Sequence, residues 1–204
     1  MKSCRLFVAL VVAVAAACLV ASVSLAGKDK KEAGQHEYSA EQMAAWQKSI
    51  SAGSHHKQLK NLVGEWHTKV SLWEQPGTEA MVTEGKATCE MIMDGRFVVQ
   101  HMTGHAMGMP FTGMGVVGYD NTAKKHTSVW FDNMSTQIMY TEGDCENHCK
   151  VETHYTSITG PNGDPMKYRL RTDIIDENKH TFEMYTIGEN GKEFKSMEIL
   201  YTRS

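Results

Sequence analysis

The fold this sequence predicts is all-β: an antiparallel up-and-down barrel of about ten strands, preceded by one or two short helices. Three observations carry it. Apolar and polar residues alternate with period two from Gly64 onward, turn-forming residues recur at one-strand spacings, and no helix-length segment lies between them to make a crossover. So many short strands must close or fold over to remove their edges, and up-and-down closure is the simplest route.

The elements follow in order. Lys2 and Arg5 precede an uncharged run from Leu6 to Val23, and Ser24-Leu25-Ala26 places small residues where signal peptidase cuts. Residues 1–26 therefore read as a secretory signal cleaved after Ala26, which sends the chain to the periplasm or outside the cell. Residues 27–38 are charged and poor in apolar side chains, a flexible leader. Residues 39–63 form a helical segment: Ser39 and Gln42 have capping-box spacing, Met43, Ala44, Trp46 and Ile50 follow at helical intervals, Gly53 stops the helix, and a second short helix fits Ser54 to Leu62. Residues 64–204 are the barrel domain. Its first strand sets Trp66, Thr68, Val70 and Leu72 against Glu65, His67, Lys69 and Ser71 and breaks at Glu74-Gln75-Pro76-Gly77. Later strands are separated by turns at Asp94-Gly95, Met109-Pro110, Asp120-Asn121, Asp132-Asn133, Gly143-Asp144, Asn162-Gly163, Asp176-Glu177-Asn178 and Asn190-Gly191. Met166, Tyr168, Leu170 and Ile174 against Lys167, Arg169, Arg171 and Asp173 is the cleanest two-faced strand.

Charge narrows the partners. Of 21 basic residues, Lys2 and Arg5 leave with the signal, so 19 face 24 acidic residues and the formal charge is −5. The basic residues are scattered, with no face to track phosphates, so no nucleic-acid partner is expected. No membrane association is expected after signal cleavage, and nothing fixes an oligomeric state. Of five cysteines, Cys4 and Cys18 also leave with the signal. Cys145 and Cys149 flank a turn-like Glu146-Asn147-His148 and are expected to form a disulfide in an oxidising compartment. The competing metal set of Cys145, His148 and Cys149 lacks a fourth local ligand, so no metal site is assigned. Cys89, in a strand, reads as a buried free thiol.

Several blocks resemble one known family: Ser54-His55-His56-Lys57 to Gly64-Glu65-Trp66, Gly95-Arg96-Phe97, Pro110-Phe111-Thr112-Gly113-Met114-Gly115, Gly118-Tyr119-Asp120-Asn121, Trp130-Phe131-Asp132-Asn133-Met134 and Lys192 through Ile199. In this order they resemble the bacterial family catalogued as domain of unknown function 1579, over about Tyr38 to Arg203. The resemblance implies a calycin-like barrel, related in shape to lipocalins and nitrobindins, and no assigned reaction. It also suggests that Trp66 plugs the barrel base beside Arg203, a structural pair. Cys145 and Cys149 depart from an ordinary hairpin, and Ser54-His55 replaces a proline-acid pair.

The stretch from His101 to Asn121, rich in histidine, methionine and glycine, is the first candidate for chemistry. His101 and His105 are about 13 Å apart on an extended strand and cannot share an ion, while His105, Met107 and Met109 share a face and would need a further ligand to hold Cu(I). Methionine occurs along the whole chain, which favours apolar filling. A haem alternative would use His180 as axial ligand. An enzyme alternative would pair inward carboxylates from Asp132, Glu142 and Glu198, but no catalytic motif is present, so no catalytic residue and no cofactor is assigned. The expected function is binding or carriage of a small apolar or amphipathic molecule. Phe111, Trp130, Tyr168 and Phe182 would line the interior, and His56, His101, His105 and Met107 would frame the mouth. The alternative is a solid-core structural or interaction module. A cavity of about 300 Å³ or more separates the two.

Overall fold

The strands close on themselves. In the computed structural model, which describes residues 38–204, ten antiparallel strands form one barrel, each paired with its neighbours in sequence and β1 paired with β10. The expected signal peptide, and all of the expected leader except Tyr38, lie outside the described residues. The elements are α1 (Ala40–Ile50), α2 (Ser54–Gln58), a 3-10 turn (Leu59–Leu62), β1 (Gly64–Leu72), β2 (Met81–Ile92), β3 (Phe97–Ala106), β4 (Met109–Asp120), β5 (Lys125–Asp132), β6 (Met139–Glu146), β7 (Val151–Thr159), β8 (Pro165–Asp176), β9 (Lys179–Ile187) and β10 (Glu193–Arg203).

The helical segment forms for the expected local reasons. The Ser39 hydroxyl accepts from the Gln42 amide at 3.1 Å, and the Gln42 side chain accepts from the Ser39 amide at 2.8 Å. This satisfies two amides that a helix start leaves unpaired. α1 is tied to the barrel by hydrogen bonds at its C-terminal end and buries none of its residues. Asn121 donates to the carbonyls of Ser49 (2.9 Å) and Ser51 (2.8 Å), and Arg96 donates to the Ile50 carbonyl at 3.0 Å.

Those anchors fix which end of the barrel is covered. The chain enters β1 at Gly64, so the helical segment lies at the end that carries the β2–β3, β4–β5, β6–β7 and β8–β9 turns. Trp66 closes this end. It is 1% exposed, its indole N–H donates to the Leu62 carbonyl at 2.9 Å, and the Arg203 guanidinium lies 4.2 Å above its ring. Arg203 also donates to the carbonyls of Val63 and Glu177. Gly64 leaves it room: with φ at +139°, a Cβ there would fall 2.2 Å from an Arg203 nitrogen. His180 meets the Trp66 ring edge-on at 4.4 Å and stacks on Tyr201 at 4.2 Å.

The opposite end stays open. There the glycines of β4 have a specific task, because the Trp130 indole lies against that strand. A Cβ at Gly113 would come within 2.3 Å of the indole and one at Gly115 within 2.8 Å. The glycines remove that clash and leave a flat bed for the ring. The Trp130 indole N–H donates to Asp132 at 2.9 Å.

Candidate functional site

The barrel encloses a cavity of about 390 Å³ whose wall is mostly apolar. Met102, Phe111, Val117, Trp130, Leu170 and Phe182 line it, with Tyr168, Met184, Met197 and Ile199. Gly115, Ser128 and Thr141 occupy inward positions without filling them. The interior is therefore not packed solid.

One wall is polar. Ser128 and Thr141 share a hydrogen bond at 2.7 Å, and Thr141 meets His154 Nδ1 at 2.8 Å. Glu152, beside His154 on β7, reaches His154 Nε2 at 3.5 Å with one oxygen and His126 Nδ1 at 3.1 Å with the other. The His126 contact is close but misaligned for a hydrogen bond, which leaves this buried ring nitrogen without a hydrogen-bond partner. Burial pushes the Glu152 carboxyl up, and the imidazoles of His126 and His154 outweigh it, holding the acid at about 2. Glu152 is thus a half-buried carboxylate on the cavity wall.

The chain of polar groups continues outward to the covered end. His126 points its Nε2 at His55 Nδ1, 3.1 Å away, and the Cys145 and Cys149 sulfurs lie 3.7 and 3.4 Å from the same His55 nitrogen. Cys149 Sγ is 3.7 Å from His126 Nε2. The two cysteines are disulfide-bonded, with Cα atoms 4.7 Å apart. His55 stacks face to face on Tyr119 at 4.0 Å, and burial, then the neighbouring His126, pull its pKa down. Among the described residues, these four side chains are the group able to surround a metal ion, their ligand atoms all within 4.8 Å of one another.

The residues named from the sequence divide between the two ends. Phe111, Trp130, Tyr168 and Phe182 line the cavity, and His105 is exposed at its open mouth. Three do not line it. His101 points outward on β3, exposed, because its neighbour Met102 takes the inward position. Met107 sits in the β3–β4 turn, 70% exposed with a left-handed backbone. His56 is 4% exposed at the covered end, its Nδ1 accepting from the Gly53 amide at 3.0 Å. A rim shared by His56 and Met107 is therefore not formed, because the helical segment closes the end opposite the β3–β4 turn. His148 is exposed and takes no part in the cluster near Cys149. Of the carboxylates, Asp132 caps its own turn and reaches the mouth, Glu142 is exposed beside Tyr140, and Glu198 pairs with Lys195. Cys89 is free and 5% exposed, and burial pushes its thiol up to about 12.

Sequence reasoning missed Glu152, His154, Thr141, His126 and His55. A signal existed for the first two, since Glu152 and His154 share period-two parity with Ile158. That parity reads as the wet face, because Val151 and Tyr155 hold the other.

Fold and site together define a class: a closed ten-stranded antiparallel barrel with an apolar interior cavity. Within it, a profile of the family described as "Protein of unknown function (DUF1579)" matches residues 51–203, and the chain belongs to that family. No curated protein matches. The solved structures that the chain matches include these three. The crystal structure of Rv2717c from M. tuberculosis is 12% identical with a TM-score of 0.50, covering 75% of this chain and 98% of that one. A redesigned beta barrel is 12% identical with a TM-score of 0.38, covering 71% and 93%. A protein of unknown function of the DUF3598 family from Nostoc punctiforme is 6% identical with a TM-score of 0.25, covering 75% and 100%. The first of these supports the barrel fold and nothing more.

Proposed function

We propose that this protein is an exported barrel that binds a small apolar or amphipathic molecule in its interior. The observation that carries the reading is the cavity itself, about 390 Å³ and mostly apolar, with one polar wall at Ser128, Thr141, Glu152 and His154. That volume is within the range of small-molecule sites, which pair an apolar lining with a few convergent polar groups. An apolar body would lie against Met102, Leu170 and Phe182, and a polar head would meet His154 and its neighbours.

The open end adds support. Met81, Met107, Met109, Phe131 and Ile138 are exposed around it, with Ile138 at 69%. Apolar residues gathered at a mouth suit a ligand taken from, or delivered to, an apolar environment. Export rests on the signal-like leader, and the disulfide fits an extracellular location.

Native mass spectrometry of the mature protein, purified without added ligand, tests the reading. A co-purifying apolar molecule, or stoichiometric uptake of a hydrophobic probe, is the expected result. A protein that arrives empty and takes up no probe overturns it in favour of a structural or interaction module.

A further inference from the structure

The four-residue cluster at the covered end lies outside the cavity and plays no part in the ligand reading. Four of the six edges of a tetrahedral metal centre are already in place. A tetrahedral Zn²⁺ with two imidazoles at about 2.0–2.1 Å and two thiolates at about 2.3 Å sets its nitrogens about 3.3 Å apart and each nitrogen about 3.6 Å from each sulfur. The protein holds His55 Nδ1 and His126 Nε2 at 3.1 Å and three nitrogen–sulfur pairs at 3.4, 3.7 and 3.7 Å. Of the other two edges, Cys145 Sγ–His126 Nε2 spans no more than 4.8 Å, and the last is the bond between Cys145 and Cys149, whose sulfurs would part to about 3.8 Å as two zinc-bound thiolates.

We propose that Cys145, Cys149, His55 and His126 form a redox-controlled site for Zn²⁺, closed to metal while the disulfide is intact and able to bind it once the disulfide is reduced.

Three features beyond the distances support this. The donor set of two sulfurs and two imidazoles in tetrahedral array is the one Zn²⁺ favours. Both rings are already oriented: His55 is stacked on Tyr119, and His126 is 1% exposed with Nε2 facing the cluster. The other nitrogen of His126 faces the Glu152 carboxylate at 3.1 Å. A carboxylate behind a ligating histidine is the usual outer partner of a zinc site, fixing the tautomer and raising the ligand's basicity. It also gives the buried, unpaired Nδ1 of His126 a purpose. The β6–β7 turn supplies the sulfurs through Asn147, His148 and Cys149, all left-handed (φ 49°, 55° and 57°), which folds Cys149 back toward the histidines.

The chemistry balances with a dithiol reductant. The dithiol gives two electrons and two protons to the Cys145–Cys149 bond and becomes a disulfide itself, leaving two thiols. Zn²⁺ then displaces the two thiol protons as the thiolates and neutral imidazoles bind it. A disulfide oxidant reverses the sequence, taking two electrons from the thiolates and releasing the ion.

The test compares two states of the same mature chain, oxidised and reduced with dithiothreitol, each desalted without oxygen and titrated with zinc alone or cobalt alone. We expect the reduced chain to hold one zinc per molecule by native mass and to give the thiolate-to-cobalt absorption and intense visible bands of tetrahedral cobalt. The oxidised chain should hold none. Cys145→Ser, at the half-buried cysteine, should weaken zinc binding at least about tenfold, and His55→Ala should do the same. Comparing redox states of one polypeptide separates loss of the site from loss of the fold. Zinc binding that is equal in both states overturns the proposal, as does a reduced chain that takes no zinc, gives octahedral cobalt, or binds only Cu(I). A cavity that takes up no probe would leave this result untouched.

Discussion

The Glu152 carboxylate stands 3.1 Å from the buried Nδ1 of His126, and this contact joins the polar wall of the cavity to the cysteine-histidine cluster at the covered end. Replacing the acid with its amide keeps the shape and removes the charge. Glu152→Gln should fold, lower zinc affinity of the reduced chain about 10–100-fold, and leave the oxidised chain unable to bind zinc. Zinc titration of the reduced variant checks it.

His180 should make the fold acid-sensitive. Burial first, and Arg203 nearby second, push its pKa from 6.5 down to about 4. The unfolded chain therefore binds this proton more readily than the folded one, so stability rises with pH across the window. The contribution is complete above about pH 6.5 and is lost as pH falls toward 4, on the order of 3 kcal/mol in all. Urea unfolding at pH 7 and pH 5 reads the loss, and His180→Phe, which carries no titrating group, should flatten that part of the profile.

Trp66 should be the most costly core residue to truncate. It fills the closed end, donates to Leu62 and carries Arg203 on its face. Trp66→Ala should destabilise by about 3–5 kcal/mol, measured as a lowered denaturant midpoint. Arg203→Ala should cost less, because the indole stays in place.

Gly113 should behave as a packing partner of Trp130. Gly113→Ala places a methyl within 2.3 Å of the indole and should cost about 1–3 kcal/mol through overpacking. In the double variant Gly113→Ala/Trp130→Ala the glycine substitution should add little. Additive losses in a double-mutant cycle would show that the two do not act together.

Much of the fold could be read before the structure. The Ser39–Gln42 box marked α1, the period-two strands and their turns marked the barrel, and the spacing of Cys145 and Cys149 marked their bridge. The site was harder to read for definite physical reasons. Antiparallel closure decides which turns share an end, so His56 and Met107, both taken for the mouth, fall at opposite ends. β7 inverts the usual pattern by turning Glu152 and His154 inward while Tyr155 is 58% exposed. His55 and His126 are 71 residues apart in sequence and meet because α2 packs against the end of β4, where Tyr119 pairs with His126 at the start of β5.

The most direct test of ligand binding is titration with a fluorescent hydrophobic probe, comparing the wild-type protein with Val117→Phe, which adds volume at a cavity-lining position of β4. Circular dichroism and the unfolding midpoint confirm that the variant is folded. The account predicts one saturable probe site per barrel in the wild type and loss of most of that affinity in Val117→Phe. A wild-type protein that binds no probe, or a filled variant that binds it equally well, contradicts the account.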